Sequence, residues 1–269
     1  MPASEHGIEP TALIAKIAAA AREAGAVAMA KFRSPFKSWN KDNYSPVSEV
    51  DIAIDLLLRE RLTAITPRFA WLSEESVDDP LRLEARQVWI VDPIDGTRAF
   101  IGGREDWTIS IGLVDDGRPL AAALYAPVKD LLYLAFRGAG ATLNGAPLRI
   151  EAGDTATPAV TAGPKPWIEK LAAHRPVTVH PKVHSLALRI AQVGSGELDI
   201  AFAGSNSHDW DLAAADLIVH EAGGALTSLQ GEAPIYNRAE PVHPPLVAAG
   251  RERHAQLLRI IDNHPRAFA

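Results

Sequence analysis

The sequence predicts an α/β protein with an α+β amino-terminal half, residues 1–150, and an α/β carboxy-terminal half, residues 151–269. In the first half, helical periodicity precedes a block of strand-like segments. After residue 151, short apolar runs alternate with helical patterns, which is typical of α/β architecture. The pattern changes within residues 151–158, where we expect the junction. A chain of 269 residues buries a sizeable core as one domain or as two.

Two amphipathic helices are predicted at the start of the first half. The first lies within residues 8–32, where Pro10 suits the first turn. Its apolar positions recur at helical spacing: Leu13, Ile17, Ala21, Ala24 and Val27. The second lies within residues 48–65 and is stopped by Pro67.

A largely antiparallel sheet is predicted after these helices. Asp115, Asp116 and Gly117 separate two apolar segments and indicate a hairpin, and Asn144-Gly145 indicates another tight turn. The strand-like segments are residues 107–114, 119–126 and 131–136.

The second half alternates strands with helices. Gly223-Gly224 is expected to end one of the helices. The predicted strands are 158–163, 176–179, 198–202, 224–229 and 245–250, and the predicted helices are 185–193, 210–222 and 251–262.

Composition excludes several classes of function. The net charge is −6 and no basic patch is evident, so nucleic acid is not an expected partner. The chain has no cysteine, which excludes disulfides, thiolate metal sites and cysteine nucleophiles. Residues 1–10 lack the pattern of a signal peptide, and no apolar run approaches the roughly 20 residues that span a membrane. We therefore expect a cytoplasmic protein with no membrane association.

Acidic residues stand at the ends of predicted elements, and each has an ordinary structural explanation. Asp51 lies three residues after Ser48, and this Ser-x-x-Asp pattern is close to a helix capping box. Glu74-Glu75 is compatible with a solvated loop. Asp211 lies where a first helical turn favours an acid through the helix dipole.

The stretch Trp89–Phe100, WIVDPIDGTRAF, needs more than a turn. A turn accounts for Pro93, Asp95 and Gly96, but it does not require Asp92 directly after a buried strand. A carboxylate in that place must be hydrogen-bonded, paired or bound to a cation.

Hard-cation chemistry fits this pattern, because Mg²⁺ binds a few carboxylates together with substrate phosphate. Two such ions activate water and stabilise the leaving oxygen of a phosphoryl group. Gly96-Thr97 stands where a helical turn begins, so its free N–H groups suit a phosphate.

Four motifs, in order between about residues 45 and 225, resemble those of the inositol monophosphatase family of metal-dependent, lithium-sensitive phosphatases. They are SPVSEVD, WLSEES, WIVDPIDGT and WDLAAADLIVHEAGG, and RGAGATLNGAPL is similar to the family's glycine-rich stretch. The resemblance implies a layered αβαβα sandwich, a small phosphorylated substrate and a homodimer.

The resemblance also implies a metal site for two or three Mg²⁺ ions. Glu74, Asp92 and the carbonyl of Ile94 would hold the first ion. The second would be held by Asp92, Asp95 and Asp211, with Asp92 bridging.

The remaining implied roles concern catalysis and substrate. Thr97, bonded to Asp51, would orient the attacking water, with Glu75 in support. The N–H groups of Gly96 and Thr97 would cradle the phosphate. The expected substrate contacts are Ile94, Asp95, Gly96, Thr97, Ser185 and Asp211.

Different motifs indicate different substrates. Ser73 and Ala99-Phe100 look closer to the 3'(2'),5'-bisphosphate nucleotidases, and Gly204 stands where animal inositol enzymes carry a glutamate. The glycine-rich stretch is instead similar to inositol monophosphatases. We favour 3'-phosphoadenosine 5'-phosphate as the substrate, with inositol 1-phosphate or histidinol phosphate as alternatives. A non-catalytic phosphate- or nucleotide-binding protein is the alternative from another class. Arg98 and residues 151–185 have no assigned role.

Overall fold

The computed structural model describes residues 9–41, 45–151 and 157–268, and the elements below belong to that part of the chain. The helices are α1 Pro10–Lys31, α2 Glu49–Ile65, α3 Thr97–Ile101, α4 Lys165–Ala172, α5 Leu186–Gly194, α6 Asp209–Glu221 and α7 Arg251–Asn263. The strands are β1 Ser38–Asn40, β2 Pro46–Ser48, β3 Ala70–Ser73, β4 Gln87–Asp95, β5 Thr108–Asp115, β6 Arg118–Ala126, β7 Leu131–Phe136, β8 Gly140–Leu143, β9 Ala146–Leu148, β10 Ala159–Ala162, β11 Val177–Val179, β12 Ile200–Ala203, β13 Ser207–His208, β14 Gly224–Ser228, β15 Val242–His243 and β16 Leu246–Gly250.

A seven-stranded sheet dominates the first half, in the order β3-β4-β5-β6-β7-β8-β9. Only its β3–β4 pair is parallel among the described strands, and the other neighbours are antiparallel. The predicted hairpin is confirmed, since Asp116 and Gly117 have φ values of 51° and 69° between β5 and β6. Asn144 and Gly145, at 49° and 83°, form the second predicted turn between β8 and β9.

A five-stranded mixed sheet occupies the second half, in the order β11-β10-β12-β16-β14. β10 is parallel to both β11 and β12, whereas β16 is antiparallel to its two neighbours. The α/β prediction for this half is therefore confirmed.

The two sheets and the helices form the expected αβαβα layers. α1 and α2 cover one face of the seven-stranded sheet, and their apolar residues form one core with it. α5 and α6 lie between the two sheets in a second core. α4 and α7 cover the outer face of the five-stranded sheet in a third. The middle core joins both halves, because α6 contacts β4–β8 on one side and β14 and β16 on the other.

The division at residue 150 stays a prediction, and residues 152–156 of the expected junction lie outside the described residues. One detail of the first helix was wrong: Val27 is 36% exposed, whereas Ala28 takes the buried position. None of the helices among the described residues is long and apolar enough to cross a membrane.

The largest departure from the sequence prediction lies at the end of β4. The apolar run ends at Val91, yet the strand continues to Asp95, which is registered opposite Thr108. The register shifts between Asp92 and Asp95, a β-bulge-like irregularity around Pro93, which has no N–H to donate to the ladder. Both carboxylates therefore lie at the carboxyl end of β4, on either side of the irregularity.

Candidate active site

Three carboxylates from two elements meet at the carboxyl end of β4. Asp92 and Asp95 come from the β4 irregularity, and Asp211 comes from the first turn of α6. One oxygen of each lies within 4.8 Å of the others. Burial is the first cause that raises the pKa of all three. The charge of Asp95 further raises the pKa of Asp92 and of Asp211, and the charge of Glu74 further raises the pKa of Asp95. Because hard oxygen donors so placed favour a cation, this triad fits Mg²⁺.

Asp92 shows that a turn and a metal site are compatible. Its Oδ1 accepts a hydrogen bond of 3.0 Å from the Ile94 N–H, which is an Asx-type turn. The side chain of Asp92 is only 2% exposed, and burial is the first cause that raises its pKa. The charges of Glu74, Asp95, Asp211 and Asp51 raise it further. One oxygen therefore shapes the chain while the carboxylate still joins the triad.

Asp95 is held by the amino terminus of α5. Its carboxylate accepts the Leu186 N–H at 3.2 Å, the Ala187 N–H at 2.7 Å and the Ser185 hydroxyl. Burial raises the pKa of Asp95 to about 6, while these three hydrogen bonds oppose the rise. The helix dipole favours the ionised form as well.

Asp211 is both a helix cap and a member of the triad. Its Oδ2 accepts the His208 N–H at 2.7 Å, which closes a capping box at the start of α6. Asp211 therefore lies in the first helical turn, as the sequence predicted, and its carboxylate also lies close to Asp92 and Asp95.

Asp51 divides its two oxygens between a cap and the site. Oδ2 accepts the Ser48 N–H at 2.9 Å within the predicted capping box of α2. Oδ1 lies 3.3 Å from the Thr97 hydroxyl, which is also 3.0 Å from the Ile94 carbonyl oxygen. Burial raises the pKa of Asp51 to about 6. The expected Thr97–Asp51 contact is therefore present.

Glu74 and Glu75 follow β3 and share a cation that the sequence analysis missed. The Lys41 ammonium lies 3.2 Å from Glu74 Oε1 and 2.7 Å from Glu75 Oε1. Glu74 does not belong to the close triad, although its charge raises the pKa of Asp92 and Asp211. Burial raises the pKa of Glu75 to about 7 despite its bond to Lys41. No local motif marks Lys41, because its contacts span more than thirty residues.

The backbone conformation at position 96 requires glycine. Its φ is 94°, and a Cβ there would lie 3.2 Å from the carbonyl oxygen of Asp106 and from the amide nitrogen of Ser185. Gly96 is the N-cap of α3, which begins at Thr97. The phosphate cradle expected at these two amides stays a prediction.

Ser185 lies behind Asp95 and is 0% exposed. Its hydroxyl donates to Asp95, is 3.0 Å from the Thr108 hydroxyl and accepts the Leu188 N–H at 2.9 Å as the α5 cap. The substrate contact expected of Ser185 stays a prediction, and the structure shows the side chain buried against Asp95.

The sequence profile described as "Inositol monophosphatase family" matches residues 10–266. The chain belongs to the inositol monophosphatase family. Members of this family are phosphatases, which makes the chain a hydrolase of phosphate monoesters. The alternative of a non-catalytic binding protein is thereby set aside.

Relatives within the inositol monophosphatase family carry different names. An inositol-1-monophosphatase of Rhizobium meliloti (strain 1021) is 30% identical over 228 residues, 81% of this chain and 83% of that protein. The 3'(2'),5'-bisphosphate nucleotidase CysQ of Escherichia coli (strain K12) is 31% identical over 226 residues, 79% of this chain and 89% of that protein. The crystal structure of the extragenic suppressor protein suhB from Bartonella henselae has a TM-score of 0.83 at 26% identity, covering 94% of this chain and 99% of that one.

Proposed function

We propose that this family member is a magnesium-dependent 3'(2'),5'-bisphosphate nucleotidase that acts on 3'-phosphoadenosine 5'-phosphate. The observation that carries the substrate assignment is Gly204, directly after β12. Animal inositol enzymes place a glutamate seven residues before the aspartate that Asp211 matches. A Cβ at Gly204 would face Pro164 at 3.6 Å, so this position offers space and no carboxylate for sugar hydroxyls. The CysQ likeness supports the same branch.

The main sequence argument for an inositol substrate has a structural explanation. The N–H groups of Gly138 and Gly140 donate to the Glu221 carboxylate at 2.9 and 2.8 Å. The glycine-rich stretch therefore anchors the start of β8 to the last turn of α6. These bonds give the stretch a structural role that does not depend on the substrate, and the inositol-1-monophosphatase of Rhizobium meliloti supports inositol 1-phosphate as the second candidate.

We assign the metal ligands as the resemblance implied. One magnesium ion would be held by Glu74, Asp92 and the Ile94 carbonyl, and a second by Asp92, Asp95 and Asp211. The family resemblance allows two or three ions in the site. Bound magnesium supplies charge neutralisation at the phosphate and acidifies water.

Thr97 and Asp51 orient the nucleophile. When the Thr97 hydroxyl donates its proton to Asp51, its oxygen is left to accept a hydrogen bond from water. The Asp51 carboxylate, fixed by the Ser48 N–H, is in place to accept this hydrogen bond and so to orient the Thr97 hydroxyl. Glu75, whose side chain is 2% exposed, lies 2.7 Å from the Lys41 ammonium and would support the same region. The Gly96 and Thr97 amides would hold the phosphate in line.

A phosphate-release panel tests the proposal. It compares 3'-phosphoadenosine 5'-phosphate, inositol 1-phosphate, histidinol phosphate and fructose 1,6-bisphosphate, with magnesium and with added lithium. We expect the highest kcat/KM for 3'-phosphoadenosine 5'-phosphate and inhibition by lithium. If inositol 1-phosphate is preferred by orders of magnitude, the nucleotidase assignment is wrong. The homodimer also stays a proposal, to be tested by light scattering.

A further inference from the structure

A second aspartate of α2, Asp55, is buried beside the segment that carries Glu74 and Glu75. It lies one helical turn after Asp51, so the two side chains project from the same face of α2. Asp55 is only 5% exposed. A carboxylate so far from water must be hydrogen-bonded, paired or bound to a cation, so its partners show what it is there to hold.

Asp55 binds the two serines that flank the pair of glutamates. The Ser73 hydroxyl donates to Asp55 Oδ1, and the Ser76 hydroxyl donates to Asp55 Oδ2, both at 2.5 Å. Hydrogen bonds to an ionised acceptor are short and roughly twice as strong as those between neutral groups. One carboxylate therefore fixes both the residue before Glu74 and the residue after Glu75.

Each serine hydroxyl also accepts a hydrogen bond from the same part of the chain. Ser73 accepts the Glu75 N–H at 3.3 Å, and Ser76 accepts the Trp71 indole N–H at 3.1 Å. A hydroxyl has one proton to donate, and in both serines that proton goes to Asp55. The carboxylate therefore sets the orientation in which Ser73 can hold the Glu75 backbone.

The place of Glu74 relative to the triad depends on this backbone segment. The Glu74 N–H donates to the Val91 carbonyl at 3.3 Å, one residue before Asp92 on β4. The charge of Glu74 raises the pKa of Asp92, Asp95 and Asp211, so its carboxylate lies within electrostatic reach of all three. A displacement of about 1 Å in such a site lowers a rate by about 100-fold, so the anchoring of the segment bears directly on the metal centre.

We propose that Asp55 is a positioning residue of the active site, which clamps the segment between the two serines so that Glu74 reaches the magnesium ion. The inference rests on the proposed function, in which Glu74 is a metal ligand, but it does not depend on the substrate. The face of α2 then carries two carboxylates with separate tasks. Asp51 orients Thr97, and Asp55 places the glutamates.

Calorimetric Mg²⁺ titration of Asp55→Ala, alone and combined with Glu74→Gln, tests this role. We expect Asp55→Ala to lower Mg²⁺ affinity by about 10-fold or more, as for loss of an outer partner of a metal ligand. In the Glu74→Gln background it should cause no further loss, because its effect passes through that ligand. Asp55→Asn, which keeps an oxygen for a serine hydroxyl, should retain most of the affinity. An equal loss in both backgrounds, or no loss in Asp55→Ala, would overturn the inference.

Amide exchange of the metal-free protein separates this inference from the metal assignment. With a chelator present, the Glu74 and Glu75 amides should exchange roughly 10-fold faster in Asp55→Ala than in the wild type. Glu60→Ala is the matched control, because Glu60 is an acid of α2 whose side chain is 71% exposed, and it should change neither exchange nor affinity.

The two proposals fail in different ways. If the wild type binds no Mg²⁺, the metal assignment is wrong, and unchanged amide exchange in Asp55→Ala would separately refute the clamp. If Asp55→Ala does not fold, Ser76→Ala, which removes one of the two bonds, should show the same changes to a smaller extent. Wild-type exchange and affinity in Ser76→Ala would then count against the inference.

Discussion

Replacement of Ser185 by alanine tests how the chain prepares Asp95 for a cation. The substitution removes the hydroxyl that donates to Asp95 and that caps α5 by accepting the Leu188 N–H. A hydrogen bond to a charged group contributes about 1.5–3 kcal/mol, and a lost serine cap costs about 0.5–2 kcal/mol. Because the same hydroxyl makes the hydrogen bond and the cap, the two contributions do not add fully. We therefore expect the free energy of unfolding to fall by about 2–4 kcal/mol.

Urea unfolding with a chelator at neutral pH measures this loss, and Ser34→Ala is the matched control. The Ser34 hydroxyl is exposed and bonds only locally, to the Lys31 carbonyl. Calorimetric titration of Ser185→Ala should also show Mg²⁺ affinity lowered by about 10- to 100-fold, as for loss of a ligand's hydrogen-bond partner. If Ser185→Ala unfolds like Ser34→Ala, or if it raises only the KM for substrate, the supporting role is wrong.

Three further predictions concern Asp51, Gly96 and Asp216. Asp51→Asn should lower kcat by about 100- to 10,000-fold with Mg²⁺ affinity nearly retained, and an unchanged kcat refutes the Thr97–Asp51 role. Gly96→Ala places a Cβ at a φ of 94° and should cost about 1–3 kcal/mol, measured by urea unfolding; wild-type stability would contradict this. Burial raises the pKa of Asp216 to about 6, above its ordinary 3.8, so its contribution to stability is present at acidic pH and is lost as pH rises from about 4 to about 6. The stability difference between wild type and Asp216→Asn should therefore change by up to about 3 kcal/mol across this window, and a constant difference refutes the shift.

Local sequence patterns predicted α1, α2, α5, α6, α7 and the main strands of both sheets, but not α4. The site roles of Glu74, Asp95 and Asp211 came from the family resemblance. Helical spacing identified α1 and α2, and the Ser48–Asp51 spacing identified a capping box that the structure contains. Asp92 was recognisable because a carboxylate directly after a buried strand requires a partner. These features depend on residues a few positions apart, so they can be read along the chain.

Long-range contacts were not predictable in the same way. Lys41 meets Glu75 across 34 residues, and Ser185 meets Asp95 across 90. Neither lysine nor serine carries a local signal for such a contact, because the contact depends on how separate layers pack.

Magnesium titration of Asp92→Asn, combined with phosphate release, tests the central claim that the Asp92–Asp95–Asp211 triad is the metal centre of a phosphatase. Asp216→Asn is the matched control, because Asp216 is an acid of α6 that bonds Tyr236 outside the triad. We predict that Asp92→Asn loses Mg²⁺ binding and lowers phosphate release by more than about 100-fold. This loss exceeds the roughly 10- to 100-fold effect of removing a hydrogen-bond partner of a metal ligand. Full activity with unchanged Mg²⁺ affinity in Asp92→Asn would contradict the account.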